Sequence, residues 1–328
     1  MKKILGIGNA LVDVMTMIDS DSVLSEFGLP KGSMTLVDDD KSQLVKSGTT
    51  KFKKSLASGG SAANTIHGLA MLGAGTGFIG SIGRDETGDF FENDLRAAGV
   101  ETYLIRRESV TGTAVALIST DSERTFATHL GAAVELNAED LNPEYFTGYD
   151  ILYLEGYLIY NKPLITEACR LAKKNNMIVA IDMASYNVVE THLDELTEIV
   201  NEYADIVFAN EEEARVFTGL NPEEALEKIS ENTQVAVVKI GKEGSWLKRG
   251  EERIKIGTLP VQSRDTTGAG DQYASGFLFG YASGLSLEKC GLIGALTAGR
   301  VIEIIGARIN NESFSAIKSR IREIAEEE

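Results

Sequence analysis

Cysteine and histidine are scarce in this chain: Cys169 and Cys290, and His67, His129 and His192, among 328 residues. The two cysteines lie far apart inside helix-like segments and match no redox or metal spacing, so both read as reduced core thiols. No His-x-x-x-His pair or Cys/His cluster is available for zinc, which argues against a transition-metal enzyme. Long apolar runs are missing too, and none approaches the length needed to cross a bilayer. Met1-Lys2-Lys3 followed by Ile4 to Gly8 has the outline of a signal peptide. Asn9 and Asp13 interrupt it, however, and no small-residue cleavage site follows. The expectation is a first buried strand in a cytoplasmic protein. Basic residues are outnumbered, 32 Lys+Arg against 49 Asp+Glu, for a net charge of −17. Such a surface repels nucleic acid and anionic membranes, and neither is an expected partner. Low-complexity tracts, sequence repeats and long linkers are likewise absent.

What is present is an ordinary globular composition, 43% hydrophobic and 25% charged, in a chain long enough for an ample core. Short β-rich runs alternate with helix-period runs, the pattern of parallel strands joined by crossover helices. Strands are expected at Ile4 to Gly8, Gly77 to Ile82, Ile151 to Leu154, Ile178 to Asp182, Ile206 to Ala209 and Val235 to Ile240. Their apolar continuity predicts burial on both faces. Helices are expected from about Glu86 to Gly99, over Lys162 to Asn175, Glu211 to Gly219 and Pro222 to Ser230, the last capped by Asn221. Leu11 to Ile18, Met34 to Val37 and Thr113 to Leu130 break the alternation, with a hairpin around Asp121-Ser122-Glu123. The fold class is therefore α/β, a three-layer αβα unit over 1–328 with a mostly parallel sheet. A small β-sheet lid is inserted from about 11–37 and 102–130.

The most informative stretch is Asp265-Thr266-Thr267-Gly268-Ala269-Gly270-Asp271. It sets two carboxylates about a glycine-rich turn that runs into an apolar helix-compatible segment. Free N–H groups of Gly268, Ala269 and Gly270 and the positive end of a helix would then face one point, which suits a phosphate. Asp271, in the first helical turn, is placed to take a proton from an attacking hydroxyl. This is the layout of a phosphoryl transferase, and a lid over it would keep water from the transferring group. The competing glycine pattern, Gly75-Thr76-Gly77-Phe78-Ile79-Gly80, fits Gly-x-Gly-x-x-Gly but sits between helix and strand in reversed order, against a dinucleotide fold. No Gly-x-x-x-x-Gly-Lys-Ser/Thr loop exists.

Other polar residues fall where a ligand would be. In Ser58-Gly59-Gly60-Ser61-Ala62-Ala63-Asn64 the glycines permit close backbone approach, and Asn64 offers a donor and an acceptor to a polyol. Asn9 and Asp13 emerge after the first strand, at the carboxyl end where a parallel sheet meets its ligand. Tyr157 is either a ring that stacks on a purine or core. Arg124, on the expected lid, clamps a phosphate or merely faces water.

Taken in order, Asn9/Asp13, Gly59-Gly60 with Asn64, Asn210-x-x-Glu213 and the Asp265 to Asp271 run resemble the PfkB, or ribokinase-like, family of carbohydrate and nucleoside kinases over nearly the whole chain. Gly8 to Asp13, Gly59 to Ile66, Tyr153 to Leu158 and Asp205 to Glu211 most resemble its bacterial adenosine-kinase-like members. The resemblance implies in-line transfer of the γ-phosphoryl group of MgATP to a small-molecule hydroxyl, the 5′-hydroxyl of adenosine above all, with Asp271 as base. It implies that Asp13 grips the sugar diol and that Asn210 and Glu213 order water around Mg²⁺. Gly241 and Gly244, in the turn Gly241-Lys242-Glu243-Gly244, would border the nucleotide. Thr266 belongs to the phosphate turn, and Asp265 supports that turn or binds a monovalent cation such as K⁺. A homodimer through the β lid fits the same picture. The alternatives are a sugar kinase acting on ribose, fructose or a keto-sugar acid, and a sensor that binds without turnover.

Overall fold

In the computed structural model, which describes every residue except Ser122, Asn310 and Glu328 and the side chain of Asn311, fourteen strands form two sheets. In chain order they are β1 (Ile4–Ile7), β2 (Leu11–Met17), β3 (Met34–Leu36), β4 (Lys54–Gly59), β5 (Thr76–Gly83), β6 (Glu101–Arg107) and β7 (Thr111–Ile118). There follow β8 (Arg124–Gly131), β9 (Ile151–Glu155), β10 (Ile178–Asp182), β11 (Ile206–Asn210), β12 (Val235–Lys239), β13 (Ser245–Arg249) and β14 (Glu252–Ile256). The large sheet runs β14-β13-β12-β11-β10-β9-β1-β5-β6. It is parallel from β12 to β6 and ends in an antiparallel hairpin of β13 and β14.

Alternate residues of each central strand enter different cores. Leu152, Leu154, Val207 and Val238 pack under the helices Lys162–Lys174 and Leu193–Tyr203. Ile151, Tyr153, Phe208 and Val237 pack under Ser61–Leu72 and Ala269–Ala282 on the other side. That double burial explains the unbroken apolar runs and makes three layers. Helix boundaries follow local chemistry. Asn221 accepts the Glu224 N–H at 3.1 Å at the start of Pro222–Ser230, and Gly219 in the left-handed region ends Glu211–Thr218.

The small sheet runs β3-β8-β7-β2-β4. Two boundaries differ from expectation. Glu101–Arg107 pairs with β5 on the edge of the large sheet, so the second inserted segment enters the small sheet at Thr111 rather than about 102. Lys54–Gly59, read as no strand at all, supplies the opposite edge by pairing with β2. The chain crosses between the sheets at four places: residues 8–10, residue 60, residues 108–110 and residues 131–132. One face of the small sheet, carrying Val14, Val115, Leu117 and Ala127, packs under the helices Ser22–Glu26 and Asp39–Gly48. The other carries Asp13, Met15 and Arg124. Through Arg124 and Met15 it faces the Asp265 turn and Gly306.

Candidate active site

The parallel strands β9, β10, β11 and β12 end side by side in Glu155, Asp182, Asn210 and Lys239. Apolar strands closing on polar residues at one edge place those groups in the crevice at the carboxyl ends of the sheet. Into the same crevice point the starts of two helices, Ser61–Leu72 and Ala269–Ala282.

Gly268 caps the second helix with φ 74°, and a Cβ there would sit 2.6 Å from that of Ala307, so glycine is required on two counts. The Ala269 N–H donates to the Thr266 carbonyl at 3.1 Å. This corrects the expectation that Ala269 offers its N–H to an anion, because the turn itself uses it. The first-turn N–H groups of Gly270 and Asp271 have no acceptor within an α-helix and remain for a ligand, as does the Gly268 N–H at its cap. Lys239 Nζ lies against this turn, 3.2 Å from where a Gly270 Cβ would be, and pairs with Asp182 Oδ2 at 2.9 Å. On the other side Arg124 Nη2 lies 2.5 Å from Asp265 Oδ2, and its Nη1 donates to Thr267 Oγ1 at 3.3 Å. Asp265 also accepts the N–H groups of Thr267 and Gly306, at 3.0 and 2.7 Å. Of its two expected roles, support of the turn is the one these contacts perform.

Asp271 is held by the other helix start. Ser61 Oγ donates to its Oδ1 at 2.7 Å and Asn64 Nδ2 to its Oδ2 at 3.0 Å, while Thr65 Oγ1 donates to its carbonyl at 3.1 Å. Enclosure by protein pushes its carboxyl up to about 6, against the pull of those two side-chain donors. Burial likewise raises Asp13 to about 6, with Arg308 opposing. Gly60, with φ 98°, brings the helix start so close to Asn9 that a Cβ would meet the Asn9 carbonyl at 2.1 Å. At Gly59 a Cβ would strike the Asp13 carboxyl at 2.4 Å.

Two polar residues are engaged within the protein rather than free for a ligand. Asn64 has its Nδ2 on Asp271 and its Oδ1 within 3.4 Å of Arg308 Nε. Its geometry supports the carboxylate rather than the polyol contact expected of it. Asn9 gives its N–H and Nδ2 to Glu155 Oε1, at 2.9 and 2.7 Å, and the Ala62 N–H donates to Oε2 at 2.8 Å. Glu155 is buried, which raises its carboxyl to about 7 despite these donors. The sequence reading passed over Glu155, Asp182, Lys239, Ser61 and Arg308. For the first three, a charged residue closing an apolar strand was the available signal.

A cavity of about 870 Å³ is lined by Ser61, Asp271, Tyr157 and the Glu211–Glu213 turn. Thr266, Gly241 and Gly244 also line it, as do the apolar Leu259, Ala298 and Ile302. Its volume suits a nucleotide-sized ligand. Tyr157 is partly buried, packed on the core behind this cavity. Asn210 and Glu213 form a reciprocal capping box, Asn210 Oδ1 accepting the Glu213 N–H at 2.8 Å and Glu213 Oε2 the Asn210 N–H at 2.7 Å. Burial holds the Glu213 carboxyl above its ordinary range, with Lys239 countering. Among the described residues no group of three or more His, Cys, Asp or Glu is arranged to hold a metal ion. Sparse acids such as Glu213 fit Mg²⁺, which keeps several waters and needs few protein oxygens.

A parallel sheet closing on one crevice, with an anion turn opening a helix and a buried carboxylate beside it, defines a phosphotransferase. Residues 33–313 match the model of the pfkB family carbohydrate kinases, and the chain belongs to that family. Its members, and this enzyme with them, transfer phosphoryl groups to alcohol acceptors. The chain is similar to an adenosine kinase from Sinorhizobium meliloti, with 37% identity over 99% of both chains and a TM-score of 0.87. It is also similar to a probable sugar kinase from Rhizobium etli, with 33% identity over 98% of this chain and 99% of that one, TM-score 0.87. A 5-dehydro-2-deoxygluconokinase from Clostridium beijerinckii is 29% identical over 85% of this chain and 87% of its own.

Proposed function

We propose that this kinase transfers the γ-phosphoryl group of ATP to the 5′-hydroxyl of a ribonucleoside, adenosine in particular. The observation that carries the choice of nucleoside is the crevice-facing side of the small sheet. Strand register puts Asp13, Ala114, Thr128 and Leu36 in one row and Met15, Ala116, Phe126 and Met34 in the next on the same face. Met34 and Leu36 are 56% and 62% exposed. A carboxylate for a sugar diol therefore shares its face with apolar side chains that extend across three strands, room enough for a base. A free sugar would satisfy Asp13 and leave Met34 and Leu36 in water. The likeness to the Sinorhizobium adenosine kinase over the whole chain points the same way.

In this reading the acceptor lies between Asp13 and Asp271, and ATP fills the cavity with its purine at Leu259, Ala298 and Ile302. Asp271 accepts the proton of the attacking hydroxyl, with Ser61 and Asn64 fixing the direction of its carboxylate. The N–H groups of Gly268 and Gly270, Lys239 and Arg124 meet the charge that develops on the transferring group. Glu213 would hold Mg²⁺ through water, and the ion would supply neutralisation of phosphate charge when the nucleotide is bound. The small sheet acts as the lid that excludes water.

The test is ADP release from MgATP across a panel of nucleosides and free sugars, with Asp271→Asn beside the wild type. Selective turnover on adenosine that drops about 10²–10⁴-fold in the variant is expected. Turnover confined to a sugar would move the acceptor while keeping the chemistry.

A further inference from the structure

Arg308 arrives from the segment after the helix Leu287–Val301 and reaches into the acceptor side of the crevice, its side chain only 11% exposed. There it meets residues of two helices, Asp94 of Glu86–Ala97 and Asn64 of Ser61–Leu72. Its Nη1 donates to Asp94 Oδ2 at 2.6 Å, and that oxygen also takes the Ser58 N–H at 3.2 Å and the Ser58 hydroxyl. Its Nε faces Asn64 Oδ1 at 3.4 Å. Its Nη2 is buried without a hydrogen-bond partner among the described residues. A buried ion pair with one donor left short is a poor stabiliser, and replacing the whole pair by apolar side chains commonly serves a fold as well or better, although removing one partner strands the other. Stability alone does not explain why the pair is there.

Its chemistry suggests what does. A guanidinium only donates, so it can face only the oxygen end of the Asn64 amide, and the NH₂ end is thereby turned to Asp271. Reversing that amide would set two donors against each other at Arg308 and two acceptors against each other at Asp271.

We infer that Arg308 is a positioning residue for phosphoryl transfer. It locks the Asn64 amide so that Asp271 keeps its orientation. The inference rests on the role given above to Asp271. Full-length Arg308→Met and Arg308→Lys would be compared with wild type and Asp271→Asn. The readouts are kcat and KM for whichever acceptor the wild type uses, melting temperature, and the Asn64 side-chain amide resonance by ¹⁵N NMR, assigned with Asn64→Asp. Arg308→Met is expected to lose about tenfold or more in kcat with little change in acceptor KM, and its Asn64 amide resonance is expected to shift. It should also melt lower, because Asp94 loses its cation. Arg308→Lys keeps that charge, and with it the melting temperature, but does not restore the rate, since an ammonium cannot span Asp94 and Asn64 as the planar fork does. Wild-type kcat in Arg308→Met, an unmoved Asn64 resonance, or full rescue of the rate by lysine would each overturn the inference. An active Asp271→Asn would instead sink the base assignment, and the Asn64 resonance, read without turnover, would still report on Arg308.

Discussion

The Asp271 carboxyl is raised from 3.8 to about 6 chiefly by burial, and the sign of that displacement has two consequences. As a base it must be ionised, so kcat/KM should rise with pH through about 6 and level off above it, a limb that a pH–rate profile will find. For folding the direction is the reverse of a salt-bridged aspartate. The folded state binds the proton more tightly than the unfolded chain, so this group's contribution is most favourable below the unfolded value and is lost as pH rises through about 6. At neutral pH the ionised Asp271 therefore costs stability, up to about 3 kcal/mol. Asp271→Asn removes that cost while sacrificing one of the bonds from Ser61 and Asn64. Its melting temperature should equal or exceed that of the wild type even as activity collapses. A clear drop in thermal unfolding scans would mean the carboxylate is there for the fold.

Among the elements, the turn into the helix Ala269–Ala282 carries the sharpest prediction. Gly268→Ala places a Cβ in the left-handed region, costing about 1–2 kcal/mol, and drives it against Ala307. Urea unfolding should register that loss, and kcat should fall by more than ATP affinity because the turn orients charge in the transition state. Such a turn was legible beforehand because its glycines and carboxylates are consecutive. The central strands were legible because burial on both faces leaves an unbroken apolar run. β4 was missed for the opposite reason: Lys54–Gly59 is an edge strand with little hydrophobic signal. β6 was assigned to the wrong sheet, because Tyr103, Leu104 and Ile105 mark a strand without saying which sheet it joins. Arg308 and Asp94 belong to no local motif, and only the folded chain brings them, over 200 residues apart, to Asn64. The amide partners of Asn64 and Asn9 were hidden likewise, since a motif names a residue without saying which neighbour takes its hydrogen bonds.

For the whole molecule, association through the small sheet, expected from the sequence, turns on its exposed side chains. One face lies under its own two helices, and the other carries the exposed Met34 and Leu36, which either the acceptor or a second copy would cover. Its outer strands are poor seams. β3 is three residues long, and β4 begins at Lys54 just after Lys51 and Lys53. Sedimentation velocity at micromolar concentration should give a monomer; a dimer abolished by Leu36→Lys would show a second copy covering the apolar platform. No described helix is long and apolar enough to span a membrane. The four crossings between the sheets carry a further implication. Two of them, at residues 8–10 and 60, include or adjoin Asn9, Ser61 and Ala62. If the small sheet is the proposed lid, a hinge through those residues would carry Ser61, which holds Asp271, so that closure over the acceptor and alignment of the base would be a single mechanical event. ATP hydrolysis in the absence of an acceptor should then be slow.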